Sequence, residues 1–376
     1  MWKNGKKPEM AHDIALEISP KPGDRIDGIS TPRPIIDEER LAANIARVQS
    51  YMDAHGLNFR PHIKTHKIPA LARAQVAAGA KGINCQKITE AEAFADAGFE
   101  DILITFNILG PEKLVRLSAL NDRISGLKVV ADNTVTVDGL SAWFAERRPL
   151  TVLVECDTGG ARCGVQSPAE AAALGKLIAG KQGLVFGGLM SYPKPNNAAG
   201  TQAFLAEAVA LLKGENIECP IVSNGGTPSL FEAHLVTAAT EHRAGTYIYN
   251  DRSMVRAGHC REEDCAMHIL ATVVSRPTED RAVIDAGSKA LTSDLLGFAD
   301  YGQVIGYPEA VIKGLSEEHG VIDLSNCTGP RPQIGDKIRI IPNHTCVVSN
   351  LFDQMVFHRD GIVTRVEDVA ARGLVW

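Results

Sequence analysis

Five cationic or titratable side chains fall within eight residues at Arg60-Pro61-His62-Ile63-Lys64-Thr65-His66-Lys67. The residues before them, Gly56-Leu57-Asn58-Phe59, read as a short strand, and an alanine-rich helical pattern follows. A lysine at the carboxyl end of a strand stands where α/β folds place their chemistry. In an extended segment alternate residues share a face, so Arg60, His62 and Lys64 are expected to point one way. An amine crowded by cations gives up its proton more readily, and a neutral amine adds to a carbonyl to form a Schiff base. Lys64 is therefore a candidate carbonyl-binding lysine. On its own, the cluster reads more readily as a solvated basic strand end, because short basic clusters are common.

Two glycine-containing segments follow later strands. Ser223-Asn224-Gly225-Gly226-Thr227-Pro228-Ser229 leaves a strand and opens a helix. Glycines let backbone N–H groups approach an anion, and a helix N-terminus favours negative charge, so a phosphate would fit. No P-loop lysine is present, which argues against a nucleoside triphosphate. The plain alternative is a tight strand–helix turn. Arg243-Ala244-Gly245-Thr246-Tyr247 ends the next strand, and barrels often carry a phosphate site near their last strands. Asp157-Thr158-Gly159-Gly160-Ala161-Arg162-Cys163-Gly164 also follows a strand. Arg162 there can hold a phenolate, carboxylate or phosphate, or simply pair with Asp157. Tyr192 ends a further strand and could contact a ring or cap a barrel.

Pro342-Asn343-His344-Thr345-Cys346 reads as part of a strand, whose alternation would put His344 and Cys346 on one face, close enough to share a metal. Two ligands are too few for a structural zinc site but suit a catalytic site left open; the plain reading is a buried cysteine beside an ordinary histidine. Glu317-Glu318-His319-Gly320 is another polar cluster, either lining a domain interface or forming a solvated turn. His259, Cys260, Cys265 and His268 have a superficially metal-like spacing that does not match the common finger patterns.

The elements that must position these residues alternate. Candidate strands are 34–36, 56–62, 82–85, 101–105, 127–130, 150–155, 184–191 and 220–223, with helical patterns between them such as 39–54, 89–97 and 198–212. Apolar, β-branched runs bounded by turn residues are the pattern of parallel buried strands. Eight such units are what a (β/α)8 TIM-type barrel needs; a doubly wound sheet has the same alternation. From His268 the chain reads as strands at 269–275, 281–285, 337–341, 346–351 and 361–363, separated by Gly and Pro turns, which predicts a C-terminal all-β domain. The expected organisation is a barrel over 30–260 and a β domain over 261–376, with residues 1–29 joining the β domain.

The 376 residues, 45% hydrophobic, suffice for a large core, and a net charge of −6 offers no excess of basic surface for nucleic acid. No segment reads as a secretory signal or a bilayer span. Eight cysteines scattered through strands and loops point to an enzyme of a reducing compartment, the cytoplasm, rather than to a disulfide scaffold.

As an ordered set these motifs resemble a known family. The Arg-Pro-His-x-Lys-Thr-His-Lys run is followed by Asn84-Cys85-Gln86-Lys87 with Glu90-Ala91-Glu92, then Arg162-Cys163-Gly164-Val165 and Gly225-Gly226-Thr227. Asp285-Ala286-Gly287, Glu318-His319-Gly320 and Pro342-Asn343-His344-x-Cys346 complete the order. The pattern, over about residues 30–376, is similar to that of the D-threonine aldolase/D-serine dehydratase-like enzymes, which have the alanine racemase fold. The resemblance implies a pyridoxal 5'-phosphate (PLP) barrel, a β domain, a divalent metal and a homodimer. It implies Lys64 as the Schiff-base lysine and Arg162 at the cofactor's phenolic oxygen. Tyr192 would lie at the ring, and Gly226, Thr227, Gly245 and Thr246 would hold the phosphate. His62 and Gln86 count among the cofactor contacts. His344 and Cys346 would bind the metal, with His344 also catalytic.

The implied reaction is retro-aldol cleavage of a D-β-hydroxy amino acid such as D-threonine to glycine and an aldehyde. β-Elimination of the D-serine or D-threo-3-hydroxyaspartate type uses nearly the same residues. Racemisation and a non-catalytic PLP carrier are more distant readings. Two departures stand out. Well-known D-threonine aldolases have a histidine shortly after the tyrosine matching Tyr192, where this chain has Pro193-Lys194-Pro195-Asn196-Asn197. Cys346 stands where some aldolases carry aspartate, and His-x-Cys also occurs in the D-serine dehydratases. A thiolate ligand favours zinc, while manganese stays open.

Overall fold

A computed structural model of the chain describes residues 19–376. The described chain forms two compact units. One comprises residues up to Ala42 with Tyr249–Val369, and the other comprises Ala43–Ile248 with Ala370–Trp376. Residues 1–18 of the segment expected to join the β domain lie outside the described residues.

Strand β1 (Arg33–Asp37) opens the first unit. The second unit contributes β2 (Asn58–Pro61), β3 (Ile83–Cys85), β4 (Asp101–Ile104), β5 (Gly126–Ala131), β6 (Leu150–Cys156), β7 (Leu184–Ser191), β8 (Ile221–Asn224) and β9 (Glu241–Ala244). These eight are hydrogen-bonded in the order β2-β9-β8-β7-β6-β5-β4-β3, all parallel. A parallel bridge between His62 and Asn84 joins the two ends of that order. The sheet is thus a (β/α)8 barrel rather than a doubly wound sheet. Helices such as Ile88–Asp96, Pro111–Arg123 and Pro168–Ala179 follow the strands.

The alternation of side chains sorts the barrel strands. Val152 and Val154 belong to a large apolar cluster that includes helix residues such as Phe94, Leu117 and Ile178. Leu153 instead joins Leu103, Val130 and Met190, and the four come from the adjacent strands β4 to β7. A strand buried on both faces must be apolar throughout, which is why these runs lack a polar period.

The first unit is a mixed sheet. Its later strands are β10 (Met267–Thr278), β11 (Arg281–Ile284), β12 (Gln303–Val304), β13 (Val311–Leu315), β14 (Gly320–Asp323), β15 (Lys337–Ile341), β16 (Gln354–Arg359) and β17 (Ile362–Asp368). They run in the order β13-β14-β11-β10-β1-β16-β17, with β15 pairing β10 and β12. Residues 19–29 reach this sheet: Gly23 N–H donates to Val363 O, and Arg25 bridges Ile362.

Two expectations are corrected. The run 34–36, counted as a barrel strand, pairs antiparallel with β10 and parallel with β16, and the eighth barrel strand is β9. A three-residue apolar run fits the interior of either sheet, so only tertiary pairing decides. The run 346–351 is not a strand. Thr345–Ser349 forms one helical turn with His344 at its N-cap, and β15 ends at Ile341. The β-branched residues there favour a strand. The Thr345 N–H and hydroxyl are instead satisfied by Asp251 Oδ2, at 3.1 and 3.3 Å.

Candidate active site

The basic motif breaks its own alternation. β2 ends at Pro61, and Ile63–Thr65 form a 3-10 turn with Lys64 at its centre. His62 bridges this turn to the next strand. Its Nδ1 accepts the Lys64 N–H at 3.4 Å, and its Nε2 lies 3.0 Å from Gln86 Oε1. Gln86 is held in turn by Thr105 O at 2.9 Å and by Glu90 Oε2 at 2.7 Å. Burial, reinforced by the neighbouring Lys64 ammonium, keeps the His62 pKa well below the usual imidazole value. Its hydrogen bonds are those of a neutral ring protonated on Nε2.

The other members of the motif carry structure. Arg60 is buried, with Nε 3.1 Å from Glu241 Oε1 and Nη1 2.7 Å from Asp101 Oδ1. His66 is buried between Gln75 Oε1 at 3.2 Å and the Ile68 N–H at 3.0 Å, and burial lowers its pKa to about 4. Lys67 pairs with Glu90 at 3.1 Å. The expected crowd of cations is a set of paired charges and neutral rings.

The two glycine loops stand at the same barrel end, because each follows a strand parallel to β2. A Cβ at Gly245 would sit 2.7 Å from Thr65 Oγ1 and 2.9 Å from His62 O. Only glycine allows β9 to run that close to the Lys64 turn. Thr246 begins a short 3-10 turn after it. Gly225 has φ +125°, and a Cβ at Gly226 would lie 2.8 Å from the Tyr192 ring. Thr227-Pro228 open the expected helix, of the 3-10 type, with Gly226 at its N-cap. The guanidinium of Arg162 lies over the Tyr192 ring, 4.7 Å from its centroid. Asp157 shapes that loop by accepting the N–H groups of Gly159 and Ala161.

Residues to which the sequence analysis gave no role also belong here. Arg243 donates to Ser223 Oγ at 2.8 Å and to the carbonyl preceding Tyr192. The Ser223 hydroxyl donates in turn to Glu241 Oε1 at 2.6 Å. Burial lowers the Arg243 pKa to about 10 against the pull of Glu241 and Glu155. Glu155 lies two residues beyond Leu153, so it shares that side of β6. Burial raises its carboxyl to about 7, opposed by Arg243 and Arg162. For Glu155 the available signal was a charged residue inside an otherwise apolar strand; Arg243 lies in the polar run Glu241-His242-Arg243-Ala244, which gives no such contrast. Asn224 is buried with its Oδ1 unpartnered among the described residues, directly before the first glycine loop.

This end of the barrel fits a phosphate-bearing carbonyl cofactor. It offers an amine on a tight turn, an aromatic ring under a guanidinium, and two glycine-containing strand exits.

His344 and Cys346 stand in the other unit. His344 Nδ1 is 2.7 Å from Asp294 Oδ2. Burial opposes its charge, but hydrogen bonds to Cys346 and Asp294 raise its pKa to about 9. The ring and the thiol are therefore in contact, and an imidazole with a thiolate is a donor set for zinc-like cations. Among the described residues no group of three or more His, Cys, Asp or Glu is arranged around a cation site. This holds also for His259, Cys260, Cys265 and His268; the last is buried on β10 opposite Ile35. Glu317, Glu318 and His319 form the exposed turn between β13 and β14, where Glu318 pairs with Lys289. All eight cysteines are free, and no described helix is long and apolar enough to cross a membrane.

The barrel is of the alanine racemase class: the profile for the alanine racemase N-terminal domain matches residues 36–253. A putative serine dehydratase domain matches residues 266–358. The chain belongs to the D-threonine aldolase/D-serine dehydratase-like family of PLP-dependent enzymes. It is 33% identical to a D-threonine aldolase of Arthrobacter sp, over 97% of this chain and 98% of that one. It is 32% identical to D-threo-3-hydroxyaspartate dehydratase of Delftia sp. strain HT23, over 86% and 93%. The solved D-threonine aldolase of Filomicrobium marinum superposes with a TM-score of 0.88 at 31% identity, over 95% and 99%. D-threo-3-hydroxyaspartate dehydratase has also been solved with a histidine replaced by alanine, and with a cysteine two positions further on replaced, the latter metal-free. Those variants superpose with TM-scores of 0.86 and 0.84 at 30% and 31% identity, covering 98% and 94% of this chain and all of theirs.

Proposed function

We propose that this chain is a PLP- and divalent-metal-dependent lyase that cleaves D-β-hydroxy amino acids, D-threonine among them, to glycine and an aldehyde. The observation that carries the reading is the gathering of Lys64, Arg162, Tyr192 and both glycine loops at one barrel end, fixed by the close packing of Gly245 on the Lys64 turn and Gly226 on Tyr192. The likeness to the Arthrobacter D-threonine aldolase over nearly the whole of both chains supports it.

When bound, PLP supplies an electron sink and a divalent metal supplies Lewis acidity toward a hydroxyl. The chain's own residues do the rest. Lys64 holds the cofactor covalently and moves the proton at the substrate α-carbon. Neutral His62, tied to Gln86, sets the turn that aims Lys64. Arg162 offers its charge to the cofactor's phenolic oxygen, Tyr192 lies against the ring, and Gly226, Thr227, Gly245 and Thr246 receive the phosphate. His344 and Cys346 hold the metal, most readily zinc, with manganese the other choice. The protein acts as a homodimer in the cytoplasm.

A second reading is β-elimination, favoured by the His-x-Cys pair and by the likeness to D-threo-3-hydroxyaspartate dehydratase. Product analysis separates the two. The PLP- and metal-loaded protein is given D-threonine, L-threonine, D-serine and D-threo-3-hydroxyaspartate. Glycine and acetaldehyde from D-threonine alone of the two threonines are expected. An oxo acid with ammonia would replace the aldolase by the dehydratase.

A further inference from the structure

Asp294 stands fifty positions before His344, yet its carboxylate meets the His344 ring at 2.7 Å. We propose that Asp294 is a positioning residue of the metal centre, orienting His344 so that Nε2 is the nitrogen presented to the cation. The inference rests on the metal reading above and adds to it a residue that does not itself touch the metal.

The first support is the hydrogen bond. A carboxylate accepting Nδ1–H places the imidazole lone pair on Nε2 and makes that nitrogen a stronger donor. The ring already contacts Cys346, the second proposed ligand.

The second is the way the carboxylate is held. Asp294 Oδ1 accepts the Leu296 N–H at 3.3 Å, and the Asp294 N–H donates to Thr292 Oγ1 at 3.1 Å. Thr292 is buried with φ 65° and ψ 155°. A β-branched residue is strained in that region and persists there only where its surroundings fix it.

The third is that the same loop is latched to the residue before His344. Arg256 donates to Leu296 O at 2.6 Å and to Gly297 O at 3.0 Å. The guanidinium groups of Arg252 and Arg256 lie 4.2 and 3.7 Å from the Phe298 ring centroid. Arg252 also pairs with Asp300 and donates to Asn343 Oδ1 at 3.2 Å. Asn343 Nδ2 returns a hydrogen bond to Asp300 O at 2.7 Å. Residues 292–300 and His344 are therefore set by one network, and the loop cannot shift without moving Asp294 against the ring.

The test measures cation affinity, not turnover. Metal-stripped, PLP-loaded full-length protein is titrated with Co(II), and its ligand-field absorbance is recorded. Asp294→Ala is expected to weaken affinity about 10–100-fold and to change the absorbance. Asp294→Asn is expected to recover part of the loss, because an amide oxygen still accepts the Nδ1–H. The PLP absorbance stays as in the parent. Unchanged Co(II) affinity in Asp294→Ala, where His344→Ala abolishes binding, overturns the inference and leaves the metal reading standing. Unchanged affinity in His344→Ala overturns both. If Asp294→Ala does not fold, Phe298→Ala decides: freeing the loop is expected to lower affinity in the same direction, and parental affinity there refutes the latch.

Discussion

The Nζ of Lys67 lies 3.1 Å from Oε1 of Glu90, and both side chains are buried. Lys67 also donates to the Ala371 carbonyl at 3.1 Å. Glu90 turns its other oxygen to the Gln86 N–H, and Gln86 meets His62. The last residue of the basic motif thus fastens the segment from which the side chain beside Lys64 takes its position. Chemistry and structure are interleaved in the motif rather than shared evenly.

Replacing Glu90 by glutamine leaves the Lys67 charge buried without its carboxylate. Breaking one half of a buried pair costs about 3–5 kcal/mol. Denaturant midpoints of the barrel measure it, and a change below about 1 kcal/mol, the range of surface pairs, would show that the pair is not a fastener.

Lys64→Ala is expected to abolish the covalent link to PLP. Borohydride treatment of the parent followed by peptide mass analysis should find the cofactor on Lys64. The variant should carry none and lose at least about 10²–10⁴-fold in activity, the usual range for a group that moves a proton. A reduced adduct on another lysine would remove Lys64 from its role.

Gly245→Ala tests the close approach of β9 to the Lys64 turn. The added carbon would meet Thr65 Oγ1 at 2.7 Å and His62 O at 2.9 Å. Relieving that overlap costs about 1–3 kcal/mol and pushes the turn outward. Titration with PLP should show weaker binding than in the parent, whereas equal affinity would mean that the packing does not set the lysine's position.

Stability should fall with acid through the buried imidazoles. The His66 pKa is about 4 in the folded chain, against an ordinary value of 6.5. The folded state therefore binds fewer protons than the unfolded one between these values. The contribution of His66 is whole above pH 6.5 and is lost as the pH falls toward 4, by about 3 kcal/mol. His242, lowered to about 3 by burial, acts in the same direction. A His66→Gln variant should show a shallower decline of unfolding midpoint over that interval. Parallel pH curves for variant and parent would contradict the assignment.

Much of the site was legible because its residues sit in local patterns. Lys64, Arg162, Gly226 and Gly245 each follow a strand, and strand ends are where a parallel barrel gathers its side chains. Apolar, β-branched residues announce the strands before Arg162 and Gly226, whereas β2 and β9 are largely polar. The order of the motifs likewise pointed to the family. Arg243 and Glu155 escaped because they sit within strands. Asp294 escaped because nothing in its own segment marks it; its role follows from a contact with a residue far along the chain.

The sequence by itself determined the elements and the chemical inventory: alternating strands and helices, a lysine after a strand, glycine loops, and an imidazole two positions from a thiol. These depend on period, composition and local backbone preference, which neighbouring residues settle among themselves. Only the tertiary structure decided which sheet takes the strand at Arg33–Asp37, and that Thr345–Ser349 coils against Asp251 instead of extending. It also decided which basic residues are neutralised and which carboxylate orients His344. Each of these choices turns on partners remote in sequence, whose hydrogen bonds and buried charges outweigh the modest propensities of a short segment.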